Sequence, residues 1–268
     1  MPWRCLSAAV VWSALVLAAG CGGAASTTTS VSIAARSRSA ISPAIAAATV
    51  ASAPAAASTS APRPIGSPVP AAPVPAAPMI HQWPIPYGAA RKREMAAYSL
   101  RHYGEDTYVL RDPKVIVEHY TETTTAEQAF NTFAPDVPDT EFHELPNTCA
   151  HFLVEPNGRI DQLVALSLRC RHTTGLNWTA IGIENVGLSD QAILGDRAQM
   201  ASSLRLTAWL RCHYSIALKN VIGHNESLSS PYHGDRVPAF QHQTHSDWNH
   251  ADMGRYRGLL ARYPCSRA

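Results

Sequence analysis

Two imidazoles and a carboxylate stand where they could serve one metal ion. His119 ends a short apolar run, His224 follows Ile222-Gly223, and Asp247 lies within Thr244-His245-Ser246-Asp247-Trp248. Such a set is typical of hydrolytic zinc, because three protein ligands leave one position open for water. The three are far apart in sequence, so different elements must supply them, and spacing alone does not bring them together. Local metal patterns are absent: there is no HExxH pair on a helix and no CxxC pair. Twelve histidines is a high count. They concentrate after Phe142, where metal or acid–base chemistry could use them. A net charge of +2 with no Lys/Arg run gives no reason to expect a nucleic-acid partner.

These residues need elements to hold them. Val115-Ile116-Val117 leading into Glu118-His119 reads as a buried strand. Alternation puts Val115, Val117 and His119 on one face and Ile116, Glu118 and Tyr120 on the other. Thr125 to Phe133 is helix-like with a threonine available as cap. Ala150 to Glu155 and Arg159 to Val164 flank Pro156-Asn157-Gly158, where proline presets the turn and Asn-Gly accepts positive φ, a hairpin signal. Ala180 to Glu184 reads as a further strand with Ala180, Gly182 and Glu184 sharing a face. Asp196 can cap a helix to about His213, with Met200, Leu204, Thr207 and Leu210 at helical spacing and Arg211 interrupting that face. Val221 to His224 is a short strand or turn into a long loop. Strands interspersed with helices predict an α/β fold, a mixed central β-sheet flanked by helices.

The expected organisation is a signal peptide over residues 1–21, a low-complexity linker over 22–79 and one folded domain over 80–268. Arg4, the apolar run from Leu6 to Ala19 and the small residues before Cys21 form an export signal too short for a transmembrane helix. Its end resembles a bacterial lipobox, with Ala18 where leucine is preferred, so Cys21 is a candidate for lipidation and a membrane tether. An ordinary cleaved signal or a retained anchor is the alternative. Gly22 to Met79 is dominated by Ala, Ser, Thr and Pro and cannot bury enough apolar surface to offset its ordering entropy. Export implies an oxidising compartment. Cys149, Cys170, Cys212 and Cys265 then form an even set with three possible connectivities. The favoured pairs are Cys149–Cys170 and Cys212–Cys265, each worth about 2–4 kcal/mol.

Five segments, in order, resemble the type-2 N-acetylmuramoyl-L-alanine amidases, the superfamily of the phage amidase lysozymes and peptidoglycan recognition proteins. They are Val115 to Thr121, the hairpin with Ala150 to Val154 and Asn157 to Ile160, Arg171-His172 with Gly175, Asn177 and Ala180 to Glu184, Gly223 to Glu226, and the Asp247 segment. The resemblance spans about Ile85 to Tyr256. It implies Zn2+ bound by His119, His224 and Asp247, with Glu184 as the catalytic carboxylate. It also implies His172 and Asn177 as substrate-binding residues and peptidoglycan as the partner; with the export signal, the expectation is an exported, envelope-located monomer. Bacterial relatives often carry Lys two residues before the third ligand. Here His245 stands there, and as oxyanion stabiliser it would be a weaker donor. The gap from His224 to Asp247 is longer than in compact relatives, and Asp252 or His250 could replace Asp247 as ligand. His151 is expected to be structural, His233 and His242 solvated. Two other functions compete: a peptidoglycan-binding module of the same fold without catalysis, and another zinc peptidase acting on wall peptides.

Overall fold

The computed structural model describes residues 75–265. The expected signal, Cys21 and the linker up to residue 74 lie outside the described residues. The fold is α/β, with one mixed six-stranded sheet flanked by helices. Its strands are β1 (His81–Gln82), β2 (Val115–Tyr120), β3 (Phe152–Val154), β4 (Ile160–Gln162), β5 (Ala180–Asn185) and β6 (Val221–Gly223), in the order β1-β4-β3-β5-β2-β6. Only β3 and β4 pair antiparallel; the other neighbours are parallel.

The adjacent strands β2 and β5 carry apolar residues on both faces, as parallel strands covered by helices must. On one face Ile116, Ile181 and Ile183 join Leu206, Leu210, Met253 and Tyr256 in the largest core cluster. The last four belong to α4 (Arg197–His213) and α5 (His250–Leu260). On the other face Val115, Val117 and Ala180 pack with Leu176 and Ile222. The alternation expected for β2 and β5 is thus present, and it sends His119 and Glu184 to the same side.

Local chemistry explains the element ends. Thr125 accepts a hydrogen bond from the Gln128 N–H and caps α2 (Ala126–Phe133). Asp196 accepts from Ala198 and Gln199 at the start of α4, a cap worth about 1 kcal/mol. The hairpin turns as expected, except that only Gly158, at φ 83°, takes a positive angle. Arg211 does not spoil the α4 face: it lies partly buried and donates to the Tyr263 carbonyl. The stretch after β6 begins as a 3-10 turn over His224–Ser229 rather than an open loop.

Three helices lie outside the sequence expectation. In α1 (Ala89–Tyr103) the buried face includes Arg91, Ser99 and His102, so polar residues blur its period. The short α3 (Asp190–Gly195) is capped by Ser189. The α5 helix holds Met253, Tyr256 and Leu260 at helical spacing behind an Asn249 cap, but Gly254 and Gly258 weaken its pattern. Both favoured disulfides are present, Cys149–Cys170 and Cys212–Cys265. The first ties the segment before β3 to the loop carrying His172, and the second ties the chain end to α4.

His151 is structural. Its ring is fully buried, accepts from the Gly182 N–H at 3.1 Å and lies 3.0 Å from the Leu168 carbonyl, to which it donates. Burial pushes its pKa down to about 4. The folded protein therefore binds fewer protons than the unfolded chain between about pH 6.5 and 4, and stability falls as pH falls through that window. The contribution at stake is about 3 kcal/mol. Urea denaturation across this range should show the loss, and His151→Gln should flatten the slope by about one proton. An unchanged slope in that variant would assign the acid sensitivity to other groups.

Candidate metal centre and active site

Strand register builds the site. His119 on β2 lies beside Glu184 on β5, and Glu118 lies beside Gly223 on β6, which places His224 next to His119. Three adjacent parallel strands thus deliver Glu184, His119 and His224 at one level, at their carboxyl ends. In open α/β sheets that is where ligands bind. Strands stand about 4.8 Å apart, and the rings of His119 and His224 are 4.8 Å apart.

Asp247 arrives by another route. The Asn225 N–H donates to the Asp247 carbonyl at 2.6 Å, the Asn225 amide donates to the His245 carbonyl, and Thr244 donates to the His224 carbonyl. Fully buried Trp248 anchors the segment in the core. These bonds bring the carboxylate between the two imidazoles. Asp247 Oδ2 is 3.1 Å from His119 Nδ1 and Oδ1 is 3.5 Å from His224 Nδ1. The alternatives for the third ligand point elsewhere. Asp252 serves Asn249, Gln191 and Arg255, and exposed His250 pairs with Glu226.

The donor set fits a metal ion. One ligand atom each from His119, His224 and Asp247 lies within 4.8 Å of the others. The Nε2 of His224 and the Oε2 of Glu184 are buried without a hydrogen-bond partner, an arrangement that calls for an explanation beyond the protein's own groups. Electrostatics agree. Burial and the His119 charge push His224 down to about 3, so it stays a neutral donor. Burial raises Asp247, but the His119 hydrogen bond and the neighbouring imidazoles outweigh it and hold the carboxyl below its usual range. Burial lowers His119, but its bond to Asp247 and the charges of Glu184 and Asp247 raise it overall. Such a nest of carboxylates favours positive charge.

Glu184 is buried, and burial lifts it to about 7 despite the opposing His119 charge; Asp247, Glu122 and Glu118 add to the rise. A carboxyl poised near neutrality beside a metal-ligand cluster suits proton transfer.

His172 lies over the sheet, with Nδ1 3.2 Å from His119 Nε2, and burial pushes its pKa well down. A Cβ on Gly182 would sit 2.6 Å from its ring, so the glycine makes this position possible. Asn177 is tied into the protein's own hydrogen bonds. Its carbonyl oxygen accepts from the N–H groups of His172 and Thr173, and its amide donates to Tyr98. With those groups engaged, Asn177 positions the His172 loop. His245 stands at the rim, 45% exposed, its ring 4.7 Å from His224 and its Nε2 3.1 Å from Glu141. His233, expected to be solvated, is half-buried against Gly175; His242 is exposed.

Sequence patterns did not announce several supporting residues. Glu118 accepts from Thr207, Tyr256 and Asn185 behind the ligand strand, and the same Asn185 amide donates to the His119 carbonyl. Arg171 is locked by Asp139 and the carbonyls of Glu144 and Pro146. The cluster opens into a cavity of ≈ 260 Å³ whose wall includes Glu122 and Glu141. All of these depend on tertiary partners that no local spacing encodes.

Residues 110–249, over half of the chain, match the family described as N-acetylmuramoyl-L-alanine amidase. No curated protein matches the chain. Among solved structures, a mutant endolysin from Bacillus subtilis is 21% identical, covering 69% of this chain and 99% of that one with a TM-score of 0.41. The amidase endolysin LysCS from Clostridium intestinale is 20% identical over 57% of this chain and 84% of that one, TM-score 0.39. The amidase AmiD from E. coli, solved with anhydro-N-acetylmuramic acid-L-Ala-D-gamma-Glu-L-Lys, is 26% identical over 44% of this chain and 50% of that one, TM-score 0.34.

Proposed function

Because the chain belongs to the N-acetylmuramoyl-L-alanine amidase family, we propose that it hydrolyses the amide between N-acetylmuramic acid and L-alanine in peptidoglycan, using zinc held by His119, His224 and Asp247. The observation that carries this is the convergence of two neutral-capable imidazoles and a carboxylate beside a buried glutamate lifted to about 7. When bound, zinc supplies Lewis acidity that acidifies water and polarises a carbonyl. Glu184 takes the proton from the attacking water at its unpartnered Oε2 and passes it to the departing L-alanine nitrogen. His172 and Asn177 keep the floor of the site in place, and His245, oriented by Glu141, faces developing negative charge from the rim.

Export and action in the envelope belong to the same proposal. They are supported by the signal-like N-terminus and by two disulfides, which persist in oxidising compartments. A lipid on Cys21 would tether the domain to a membrane.

Digestion of purified wall by the full chain, followed by mass analysis, tests the function. Free N-acetylmuramyl glycan with intact stem peptides is the expected product; cleavage within the stem would instead make the protein a wall peptidase, and no cleavage a binding module. His245→Ala should lower kcat by about 10-fold to 100-fold with metal content unchanged, as a single rim donor would. Wild-type kcat in that variant would leave His245 as a surface partner of Glu141 only.

A further inference from the structure

The turn after the ligand strand holds a residue that the mechanism does not use. Glu122 has φ 54°, in the left-handed region that non-glycine residues enter at a cost of about 1–2 kcal/mol. Threonines bracket it: Thr121 Oγ1 accepts from the Thr123 N–H and from Thr123 Oγ1, and Thr123 Oγ1 also lies 3.1 Å from the Thr125 carbonyl. The Gly187 N–H donates to the same Thr121 oxygen, tying the turn to the chain after β5. The turn is therefore fixed and presents Glu122, exposed, at the wall of the catalytic cavity.

The charges around that cavity differ in one respect. Glu141 is paired with His245, and Arg171 is committed to Asp139 and two carbonyls. Asp247 and Glu184 belong to the reaction centre. Glu122 forms no ion pair among the described residues, so it is the wall acid left free, and the wall offers no free lysine or arginine to receive a carboxylate. It lies three positions after His119, a reach of at most about 10 Å. A stem peptide leaving the scissile amide covers that distance within its first residues.

We propose that Glu122 is a specificity-determining residue that selects stem peptides whose third residue carries a free side-chain ammonium. The proposal rests on the amidase function and names the substrate class of that same site. An ammonium brought to Glu122 forms a charge-assisted hydrogen bond with a carboxylate that has no internal competitor. Acylation of the amine, as in a crosslinked stem, removes the charge and the bond. The enzyme would then prefer uncrosslinked stems.

The experiment compares two probes with the full-length zinc-loaded protein: N-acetylmuramyl-L-Ala-D-γ-Glu-L-Lys and the same compound acetylated on the lysine side chain. For an exposed contact the expected difference is about 2-fold to 5-fold in KM with kcat nearly equal. Glu122→Gln should bring the two KM values together while still cleaving both, and Glu122→Lys should reverse the preference. Glu122→Gly, which the left-handed backbone accepts readily, should abolish the preference without loss of thermal stability. Equal KM values in the wild type, or a preference that survives in Glu122→Gln, would overturn the assignment of Glu122 while leaving the amidase intact. Cleavage of neither probe would overturn the amidase function and this selection together.

Discussion

His224→Ala, prepared as the full-length chain, will contain no stoichiometric zinc and will lose amidase activity by at least about 10³-fold, about 4 kcal/mol of transition-state stabilisation. His224 follows directly on β6, and its fellow donors come from β2 and the Asp247 segment. Removing one of three protein donors leaves two, too few for a tight site. The fold should survive, because His224 sits at the strand end and is absent from the core clusters that include Ile116, Trp248 and Tyr256. Metal analysis alongside circular dichroism separates loss of ligand from loss of fold. If the alanine variant fails to fold, Asp247→Asn keeps the shape and tests the same centre. Full zinc occupancy in either variant would remove that residue from the ligand set.

Glu184→Gln should behave in the opposite way, keeping zinc and fold while kcat falls by about 10²–10⁴. Glutamine preserves the volume at a buried position but cannot take a proton from water. The pH dependence has a definite sign. Only the carboxylate form accepts a proton, so the wild-type rate should rise with pH through the pKa of Glu184. Burial places that value at about 7 in the protein's own field; a bound dication pulls it back toward the ordinary carboxylate range. Kinetics from pH 4 to 8 should show this acid limb in the wild type, and the residual activity of Glu184→Gln should lack it. Near-normal turnover in the variant would give the proton transfer to another group.

The strands were legible because their side chains obey simple rules. Val115, Val117 and His119 alternate with Ile116 and Glu118, and the hairpin announces itself through Pro156-Asn157-Gly158. Once β2, β5 and β6 are parallel neighbours, His119, Glu184 and His224 must meet, and alternation already pointed the first two to one face. Asp247 is different in kind. It is placed by Asn225, Thr244 and Trp248, hydrogen bonds and packing that have no period. The same reason hid α1, whose buried Arg91 donates to the Phe133, Asn147 and Thr148 carbonyls in place of an apolar contact. Asn177 is a similar case: the resemblance implied a substrate ligand, and the two N–H groups it binds become visible only when the His172 loop is folded.

The division of labour across the sheet has an evolutionary consequence. Much of the stabilising apolar surface lies where Ile116, Ile181 and Ile183 meet α4 and α5, whereas the reactive groups sit at strand tips and on one tethered loop. Changes at the tips can therefore accumulate with little effect on folding. A descendant that exchanges Glu184 for an inert residue would keep its cavity wall and its scaffold, and with them any affinity for wall fragments that the proposed function requires. On the proposed function, this scaffold would place a receptor for the polymer one substitution away from an enzyme that cuts it.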